Sequence, residues 1–583
     1  MRLEVRIRLF NRKGDRMIES REIEVYDVYH LPIIKAYADG IDLVGTINRL
    51  VPTKMDIDPG TLVLAMVLDA VSGRHPLYRI DSFYRNKDIE LLLGRSIDIE
   101  KLTDDNFGRG LEQLYKANTS RLFSAIVINA LRSFDVPSQH IHFDTTSVNV
   151  FGQYNSMTPD VPSTIKITKG HSKDHRPDLN QFVVSLLCTG GNVPIFSKLE
   201  DGNASDKKLN NGLLTEISKK LADVGIDPAG SIYIADSALV TEENLRLMGD
   251  ETRFISRLPA TFGEHQRLIE HAVESQSWQD YGILAATAPT RNRPGVHYRG
   301  FETSVTLYGQ TYRAVVVHSS AHDRRRQKRL NREVQTEYAS WSKKLAQVEK
   351  TFYFCMADTR AAMARLQKQT PRFHDLQLTV ENKPLYARGR PKADGTRTVK
   401  QMRYAITGTV TQKPEAVDTI REQAGCFVLI TNVPLEGPPN SDIPYDGKKI
   451  LQAYKDQNGI EHNFSFLKDP VVINSVFLKK PERIEALGLI LVISLLLWRL
   501  IEFNMRTHLE KQQTTIPGWD NKPTQHPTPF MMTTKFDNIR VIKIRRQRTL
   551  NGHLSQVQEK YLLALGVTST IFTQPARSYI STG

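Results

Sequence analysis

Residues 140–150 read HIHFDTTSVNV, a stretch in which the apolar and polar residues alternate with a period of two. This period, together with the β-branched residues, indicates a β-strand. The segments that follow show strand or helix character in this order: strands QFVVSLLC (181–188) and VPIFSKLE (193–200), a helix over 207–224, strand SIYIAD (231–236), a helix over 241–249 and a strand over 252–259. Three consecutive strands followed by alternating helices and strands predict an antiparallel meander joined to α/β crossover units.

The patterns on either side of this core differ from it and predict further domains. Two short strands and then a series of helices are expected before residue 136, and looser α/β patterns follow residue 259. A buried strand, CFVLITNV (426–433), leads into a long helical segment over 446–504. The predicted domains are a mostly helical N-terminal domain (1–135), the first part of an α/β core (136–259), an inserted domain (260–425), the second part of the core (426–505) and a C-terminal region (506–583).

The charge and length of the chain limit the classes of protein that it can belong to. The chain has 583 residues, too many for a single small binding module, and 78 Lys and Arg against 64 Asp and Glu leave a net charge of +14. Such a surplus favours a polyanionic partner, and nucleic acid is the first candidate. The alternative is a soluble basic protein without such a partner.

The cysteines and apolar runs favour a cytoplasmic protein. Three cysteines far apart in the sequence provide no disulfide framework and no zinc-site spacing, which suits a reducing compartment. The charged N-terminus lacks the apolar segment of a secretory signal. The run ALGLILVISLLLW (486–498) has 13 residues, where a membrane span needs about 20, and it predicts a buried helix.

Three carboxylates occupy positions in the predicted strands and helices that suggest a function. Asp144 lies inside an apolar strand and Asp236 ends another, and a charge there is costly unless it is paired or bound to a metal. Either acid could also be structural, since an Asp at a strand end often caps the next helix. Glu461 lies in the long helical segment, where Tyr454, Gln457, Glu461 and Lys468 are spaced to share one helix face. The alternative for this face is an ordinary amphipathic helix.

These residues resemble the DDE transposases of bacterial insertion sequences, over roughly residues 20–505. One branch of that family has a Tyr-(2)-Arg-(3)-Glu-(6)-Lys signature around its catalytic Glu, and this chain has Tyr454-(2)-Gln457-(3)-Glu461-(6)-Lys468. The Arg is replaced by Gln, as expected in the insertion-sequence 1634 group. HFDTTS and YIADSALVTEENL resemble the segments around the first and second Asp. GHSKDHRPDLNQ and EDGNASDKK are also similar to that group.

The resemblance implies a fold and a mechanism. The fold would be α/β, with a ribonuclease H-like catalytic core interrupted by an inserted β-rich domain and preceded by the mostly helical N-terminal domain. Asp144, Asp236 and Glu461 would bind two Mg²⁺ ions, which Mn²⁺ could replace, for DNA cleavage and strand transfer. Tyr454 and Lys468 would contact DNA near the cleavage site. Gln457 would contact DNA without the charge of the Arg.

The same resemblance implies the partners. They are the terminal inverted repeats of the element and target DNA, bound by a homodimer in a synaptic complex in the bacterial cytoplasm, associated with the nucleoid and not with a membrane. The N-terminal domain would recognise the ends. The leading hypothesis is therefore an active transposase. The alternatives are a domesticated DNA-binding regulator without catalysis and a nuclease that cleaves without joining.

Basic and aromatic residues outside the signature are further candidates for DNA contact. The stretch DRRRQKRLNRE (323–333) could bind DNA or could be a solvated helix face. ARGRPKADGTRTVK (387–400) is a candidate basic loop for a DNA groove, and KIRRQR (543–548) is a candidate phosphate-binding patch. Trp278 and Trp341 could stack on a flipped base, but a core position is the expectation for both. The cations of the first stretch that would contact DNA are Arg324, Arg325, Arg326, Lys328 and Arg329.

Overall fold

The computed structural model describes residues 7–9, 16–18, 23–73, 75–150, 165–173, 176–284, 295–391, 393–438, 444–469, 478 and 480–575. These residues form a mixed α/β protein with several β-sheets, which confirms the predicted class at that level. The chain divides into two compact units. The first unit comprises 1–256, 432–445 and 452–583, and the second comprises 257–431 and 446–451. The five predicted domain ranges stay predictions.

The strands are β1 (Ile7–Leu9), β2 (Arg16–Ile18), β3 (Ile23–Asp27), β4 (His140–Val150), β5 (Asn180–Thr189), β6 (Pro194–Glu200), β7 (Ile232–Ala235), β8 (Arg253–Arg257), β9 (Gln279–Ile283), β10 (His297–Leu307), β11 (Gln310–Ser319), β12 (Phe352–Tyr353), β13 (His374–Tyr386), β14 (Val399–Gln412), β15 (Cys426–Thr431), β16 (Ile516–Pro517), β17 (Pro523–Thr524), β18 (Arg540–Ile544) and β19 (Gln547–Leu550).

The helices are α1 (Leu31–Gly40), α2 (Leu43–Leu50), α3 (Pro59–Ala70), α4 (Ile80–Tyr84), α5 (Ile89–Leu93), α6 (Asp104–Lys116), α7 (Thr119–Phe134), α8 (Asp206–Leu214), α9 (Ile217–Asp223), α10 (Glu242–Met248), α11 (Gly263–Ser275), α12 (Ser320–Val348), α13 (Met356–Gln367), α14 (Pro414–Gln423), α15 (Gly447–Asp456), α16 (Asn458–Lys468), α17 (Pro481–Lys511), α18 (Pro529–Lys535) and α19 (Gln556–Ala564).

The main sheet of the first unit has the strand order β6-β5-β4-β7-β8. The pairs β4–β5 and β5–β6 are antiparallel, and the pairs β4–β7 and β7–β8 are parallel. These pairings confirm the predicted antiparallel meander and the crossover units after it. The central strand β4 is almost entirely buried, so its polar residues, including Asp144, lie in or next to the core.

Helix α17 forms the centre of the core of the first unit. Its apolar residues from Ala486 to Ile501 are all buried, and it packs against α1, α3, α6, α7 and β6. By length and composition alone it could cross a membrane, but its most apolar window is 94% buried inside the protein. The predicted buried helix is thus confirmed. It is longer than the apolar run, because Pro481 at its first turn starts it earlier.

Several long predicted helices are interrupted. The helix expected over 207–224 is two helices, and the segment over 446–504 contains three. Within the series of helices predicted before residue 136, α6 and α7 are separated by a break at Asn118, which has a φ of 70°. The Asn118 side chain accepts a hydrogen bond from the backbone N–H of Arg121 and so caps α7. Helical periodicity continues through such a cap, which is why the pattern alone misses the break.

The C-terminal region contributes to the same unit as the N-terminal region. Strand β18 pairs antiparallel with β3 and with β19. The Tyr37 hydroxyl donates to the carbonyl of Leu565 at 3.0 Å. The buried Arg548 guanidinium donates to Asp88 at 2.6 Å. Sequence patterns predict individual strands but carry no signal for pairing over more than 500 residues.

The second unit contains two sheets and four main helices. One sheet contains the antiparallel pairs β11–β15, β10–β11 and β9–β10. A smaller sheet has the order β12-β14-β13, and its pairs are also antiparallel. Helix α12 packs its buried Leu330 and Val334 with Phe373 and Val417. This part of the chain is therefore α/β with long antiparallel strands.

Candidate active site

Asp144 lies in the middle of the central strand β4 and is half-buried. Its Oδ1 accepts a hydrogen bond of 2.7 Å from the backbone N–H of Thr145. The Lys173 ammonium lies 3.8 Å from the same oxygen. A charge in this position is expensive to bury without partners, and both contacts favour the ionised carboxylate.

Asp236 follows β7, the strand that pairs with β4. It is exposed, and its Oδ1 accepts a hydrogen bond of 3.0 Å from the backbone N–H of Ala238, at the start of a 3-10 turn. The predicted alternative of a capping Asp is thus present in the structure. A capping role does not exclude a second role for the same carboxylate, because a carboxylate has two oxygens and about four acceptor positions.

The register of β4 and β7 places the two aspartates side by side. The parallel pairs include Ile141 with Tyr233 and His142 with Ile234. Extended by two residues, to the position just after the end of β7, this register would align Asp144 with Asp236 on one face of the sheet. Burial, together with the charges of these two aspartates, raises the pKa of Tyr233 well above its usual value. Two of the three predicted acids thus lie on or just after adjacent parallel strands, and both act on Tyr233.

The helix that carries Glu461 lies on the same face of the sheet. Cys188 of β5 pairs directly with His142, so both side chains share the face of Asp144. The Asn463 amide on α16 donates to the Cys188 sulfur at 3.2 Å, which places α16 over this face. Burial raises the pKa of the Cys188 thiol to about 12, so the thiol is neutral and acts as an acceptor.

Glu461 lies on the exposed face of α16. Glu461 and Asn463 are two residues apart, which is about 200° around a helix. Glu461 is exposed, as is Ser465 one turn later. Within the described residues, no group of three or more His, Cys, Asp and Glu side chains is arranged to hold a metal ion. Glu461 thus lies on the face of α16 opposite the buried Asn463, and its role as a third ligand stays a prediction.

The four signature residues lie on two helices. Tyr454 is on α15, Gln457 forms the turn between the helices, and Glu461 and Lys468 are on α16. The expectation of one continuous helix was therefore wrong. The break is small, because Gln457 keeps right-handed helical angles and its N–H still donates to the Tyr454 carbonyl at 3.3 Å. Tyr454, Gln457 and Lys468 are all half-buried.

A buried polar network fixes the position of α16. The Asn463 amide also donates to the Asn192 carbonyl at 2.9 Å, and its oxygen accepts from the Arg499 guanidinium of α17. Arg499 in turn pairs with Glu502. At Gly459 the helix passes so close to the β5–β6 turn that a Cβ would lie 1.8 Å from the Asn192 side chain. These contacts make α16 a rigid support for the residues on its outer face.

Lys173 is a site residue that the sequence predictions did not include. Its ammonium donates to the Thr145 carbonyl at 2.7 Å and to the Thr145 hydroxyl at 2.8 Å. The backbone N–H of Lys173 donates to the Ser147 hydroxyl at 3.0 Å. The sequence contains Lys173 in the motif GHSKDH, which resembles the transposase group. Nothing in the residue types of this motif distinguishes Lys173 as a residue of the site.

Two glycines explain how this connector reaches the sheet. A Cβ at Gly170 would lie 2.0 Å from the Gly202 carbonyl, and a Cβ at Gly202 would lie 2.0 Å from the Gln181 carbonyl. Gln181 holds the segment through Nε2, which donates to the Gly202 carbonyl at 2.7 Å. The motifs GHSKDHRPDLNQ and EDGNASDKK therefore meet in space, and the close backbone contact requires their glycines.

Two histidines of β4 lie next to the site. His142 is fully buried, and neither ring nitrogen has a hydrogen-bond partner among the described atoms. Burial and the neighbouring His140 lower the pKa of His142 to about 3, so the ring is neutral at pH 7. His140 contacts the Tyr445 hydroxyl at 3.0 Å. His175 lies outside the described residues.

The predicted basic stretch of the second unit forms the exposed start of α12. The five cations predicted to contact DNA are all exposed: Arg324, Arg325, Arg326, Lys328 and Arg329. Arg329 pairs with Glu333 one turn later at 2.7 Å. Exposure is compatible with both a DNA-binding face and a solvated helix, so the two interpretations stay open.

The expected core position of the two tryptophans was wrong. Trp278 and Trp341 are both half-buried. The Arg299 guanidinium lies 5.1 Å from the Trp278 ring centroid, and the Lys344 ammonium lies 4.4 Å from the Trp341 centroid. Each ring therefore covers an aliphatic stem and faces a cation, which an amphipathic ring at a surface can do.

The comparisons with known proteins concern the N-terminal part of the chain. A family model described as a domain of unknown function (DUF4277) matches residues 23–128, which contain β3, α1 to α6 and most of α7. No curated protein matches the chain. The family match thus covers the helical N-terminal segment and stops before the sheet that carries Asp144 and Asp236.

Proposed function

We propose that this chain is a DDE transposase of a bacterial insertion sequence, of the insertion-sequence 1634 group, that cleaves DNA and joins the ends to a target. The observation that carries the proposal is the alignment of Asp144 and Asp236 on adjacent parallel strands. The sheet order β6-β5-β4-β7-β8 is that of a ribonuclease H-like core, which supports it. Domains of the matched family occur in transposase-like proteins, and the chain has a net charge of +14.

The side chains fit the metal chemistry of such an enzyme in part. Two carboxylates on one sheet face offer the oxygen ligands that Mg²⁺ prefers, whereas Glu461 lies on the outer face of α16. Asp144 and Asp236 would hold Mg²⁺ or Mn²⁺, with Glu461 as the third ligand that the resemblance implies. Bound there, the metal would make a water or a DNA 3′-OH a better nucleophile and stabilise the leaving oxygen.

The remaining steps belong to the protein's own residues. The Thr145 N–H and the Lys173 ammonium hold Asp144 ionised and fix its orientation. Lys173 also adds a positive charge next to the place where a scissile phosphate would lie. Tyr454, Gln457 and Lys468 lie along α15 and α16 and would contact the DNA backbone beside it. A homodimer would hold two element ends together before they are joined.

The proposal is tested by cleavage of duplex DNA that carries the element's own flanking sequence, with Mg²⁺ present. We expect Asp144→Asn and Asp236→Asn each to lower the cleavage rate about a hundredfold or more, with DNA affinity largely kept. The matched control is Asp250→Asn, an exposed acid after α10, which should cleave like the wild type. Near-normal cleavage by either site variant would refute the proposed active site.

A second candidate function is a DNA-binding regulator without catalysis. The observation that favours it is the exposed Glu461, which does not join the two aspartates. Binding of the element ends by the wild type without any cleavage would support the regulator. Cleavage without joined products would instead support a nuclease, because only a transposase attaches the freed 3′-OH to a second DNA.

A further inference from the structure

Strands β13 and β14 form a long antiparallel ribbon whose far end is exposed. The pairing runs from His374 with Gln412 to Tyr386 with Val399. Near its base Ala405 and Ile406 are fully buried. Further out, every described residue from 384 to 402 is exposed except Leu385, which is half-buried. We call residues 383–403 the ribbon arm. The arm is exposed on both of its faces.

Such an arm is poorly stabilised by its own contacts. A two-stranded ribbon is at best marginally stable in water, because neither face is covered. Large side chains on the arm remain exposed nevertheless: Tyr386 at 45%, Val399 at 47% and Met402 at 40%. Proteins usually cover or charge such exposed edges. An arm of this kind is therefore better suited to contact a partner than to build a core.

The charge of the arm indicates which partner it suits. Residues 383–403 contain seven Lys and Arg and one Asp. The Asp394 carboxylate accepts hydrogen bonds from the backbone and hydroxyl of Thr396 within the turn. In the described part of the chain, no carboxylate pairs with Arg388, Arg390 or Arg397. These guanidinium groups are thus available for an external polyanion.

An aromatic platform supports the base of the arm. The Arg403 guanidinium lies 5.6 Å from the ring centroid of Phe352 and 5.8 Å from that of Phe354. Phe354 is 62% exposed, so the stack lies at the surface. Such cation–π contacts restrain the direction of the strand. Basic residues interleaved with aromatic ones are typical of nucleic-acid surfaces.

We propose that the ribbon arm binds duplex DNA by entering its major groove, with Arg388, Arg390 and Arg397 on the phosphates at the rim. This inference rests on the proposed function for the identity of the polyanion and adds a binding element apart from the acid site. The major groove is about 12 Å wide and 8.5 Å deep and admits a two-stranded ribbon. With a rise of about 3.4 Å per residue, the arm is long enough to reach the groove floor.

The test measures binding by the full chain to a fluorescein-labelled duplex of roughly 30 base pairs over a range of NaCl concentrations. The variant is Arg388→Ala/Arg390→Ala/Arg397→Ala. Each lost phosphate contact lowers the salt slope by about 0.9, so we expect a slope less steep by about 2 to 3 and an affinity about tenfold lower or more. Thermal unfolding should be unchanged, because all three residues are exposed.

A matched control distinguishes DNA binding by the ribbon arm from a general effect of lost positive charge. Lys511→Ala/Lys522→Ala/Lys560→Ala also removes three exposed cations, far away in the sequence, and should leave affinity and slope nearly unchanged. Equal weakening by both triple variants would overturn the proposal, as would unchanged binding by the arm variant. Wild type that binds no duplex but binds phosphatidylserine vesicles would refute both this proposal and the proposed function. Binding and cleavage that survive loss of the arm cations would refute the arm alone.

Discussion

Lys173 lies in the loop between β4 and β5, and its side chain contacts the part of β4 that carries Asp144. Its ammonium donates two hydrogen bonds to Thr145 and lies next to Asp144. The importance of Asp144 can be predicted from the sequence, since a charge inside an apolar strand needs a reason. Lys173 cannot be predicted in this way, because only the folded connector brings it to the strand.

The contribution of Lys173 can be measured directly. We expect Lys173→Met to lower the free energy of unfolding by about 1 kcal/mol, because two charge-assisted hydrogen bonds are lost at a partly exposed site. Cleavage of element DNA should fall more strongly than DNA binding. Urea denaturation and the cleavage assay check the two effects. Lys169→Met, an exposed lysine in the same connector, is the control and should change neither.

Glu485, at the N-terminal end of α17, should make stability depend on pH. Burial is the main cause that raises its pKa, and the Thr119 hydroxyl donates to it at 3.0 Å. A carboxyl whose pKa is higher in the folded than in the unfolded state costs stability as the pH rises through the folded pKa. Glu485→Gln should therefore be more stable than the wild type at pH 7.

The pH profile distinguishes this effect from a change in packing. The advantage of Glu485→Gln should shrink as the pH falls and disappear below the ordinary Glu pKa of 4.5, where both side chains are neutral. Urea denaturation of both proteins at several pH values measures it. Glu510→Gln, an exposed acid near the other end of α17, is the control and should show no such advantage. An advantage that stays constant with pH would contradict the explanation.

At the scale of elements, α16 shows what periodicity predicts and what it misses. The spacing of Tyr454, Gln457, Glu461 and Lys468 correctly predicts helical structure. It misses the turn at Gln457, since both sides of the break keep nearly the same helical phase. It also does not reveal that Asn463, the residue that fixes the helix, is buried against β5. A lone Asn in an amphipathic pattern looks like a surface residue.

Asn463→Ala tests whether this contact positions α16. The substitution removes the amide bonds to β5 and its turn and leaves the buried Arg499 without one partner, so we expect a loss of about 2–4 kcal/mol in the free energy of unfolding. Ser465→Ala, on the exposed face of the same helix, should stay within about 0.5 kcal/mol. Denaturation curves of both variants decide between a positioning network and a passive contact.

The strands of the main sheet were predictable for a different reason. The predicted bounds 140–150 agree with β4, and 181–188 agrees with β5 to within one residue at each end. Short apolar runs between polar turns determine these strands locally. Their pairing order is not local: the rule that successive strands lie next to one another predicts the meander of β4, β5 and β6, but it does not place β7 next to β4. The arm built from β13 and β14 was predicted only as a basic loop.

At the scale of the whole molecule, the proposed function predicts a change of oligomeric state on DNA. Both element ends must be held in one complex before strand transfer, and a single chain has one pair of aligned aspartates. We expect light scattering after size exclusion to show two chains per complex when duplexes carrying the element ends are present. Asp144→Asn should assemble in the same way, since assembly precedes the chemistry. A complex with one chain would contradict this prediction.

The pairing of β3 with β18 has a consequence for the folding of the protein during its synthesis on the ribosome. The segment with β18 is synthesised more than 500 residues after β3, which at about 5–20 residues per second takes roughly half a minute to two minutes. Until then β3 lacks this neighbour and α1 lacks the contact of Tyr37 with Leu565. The growing polypeptide therefore cannot complete its first unit while it is being made. A message truncated shortly before its stop codon should yield a product that chaperones retain and proteases remove.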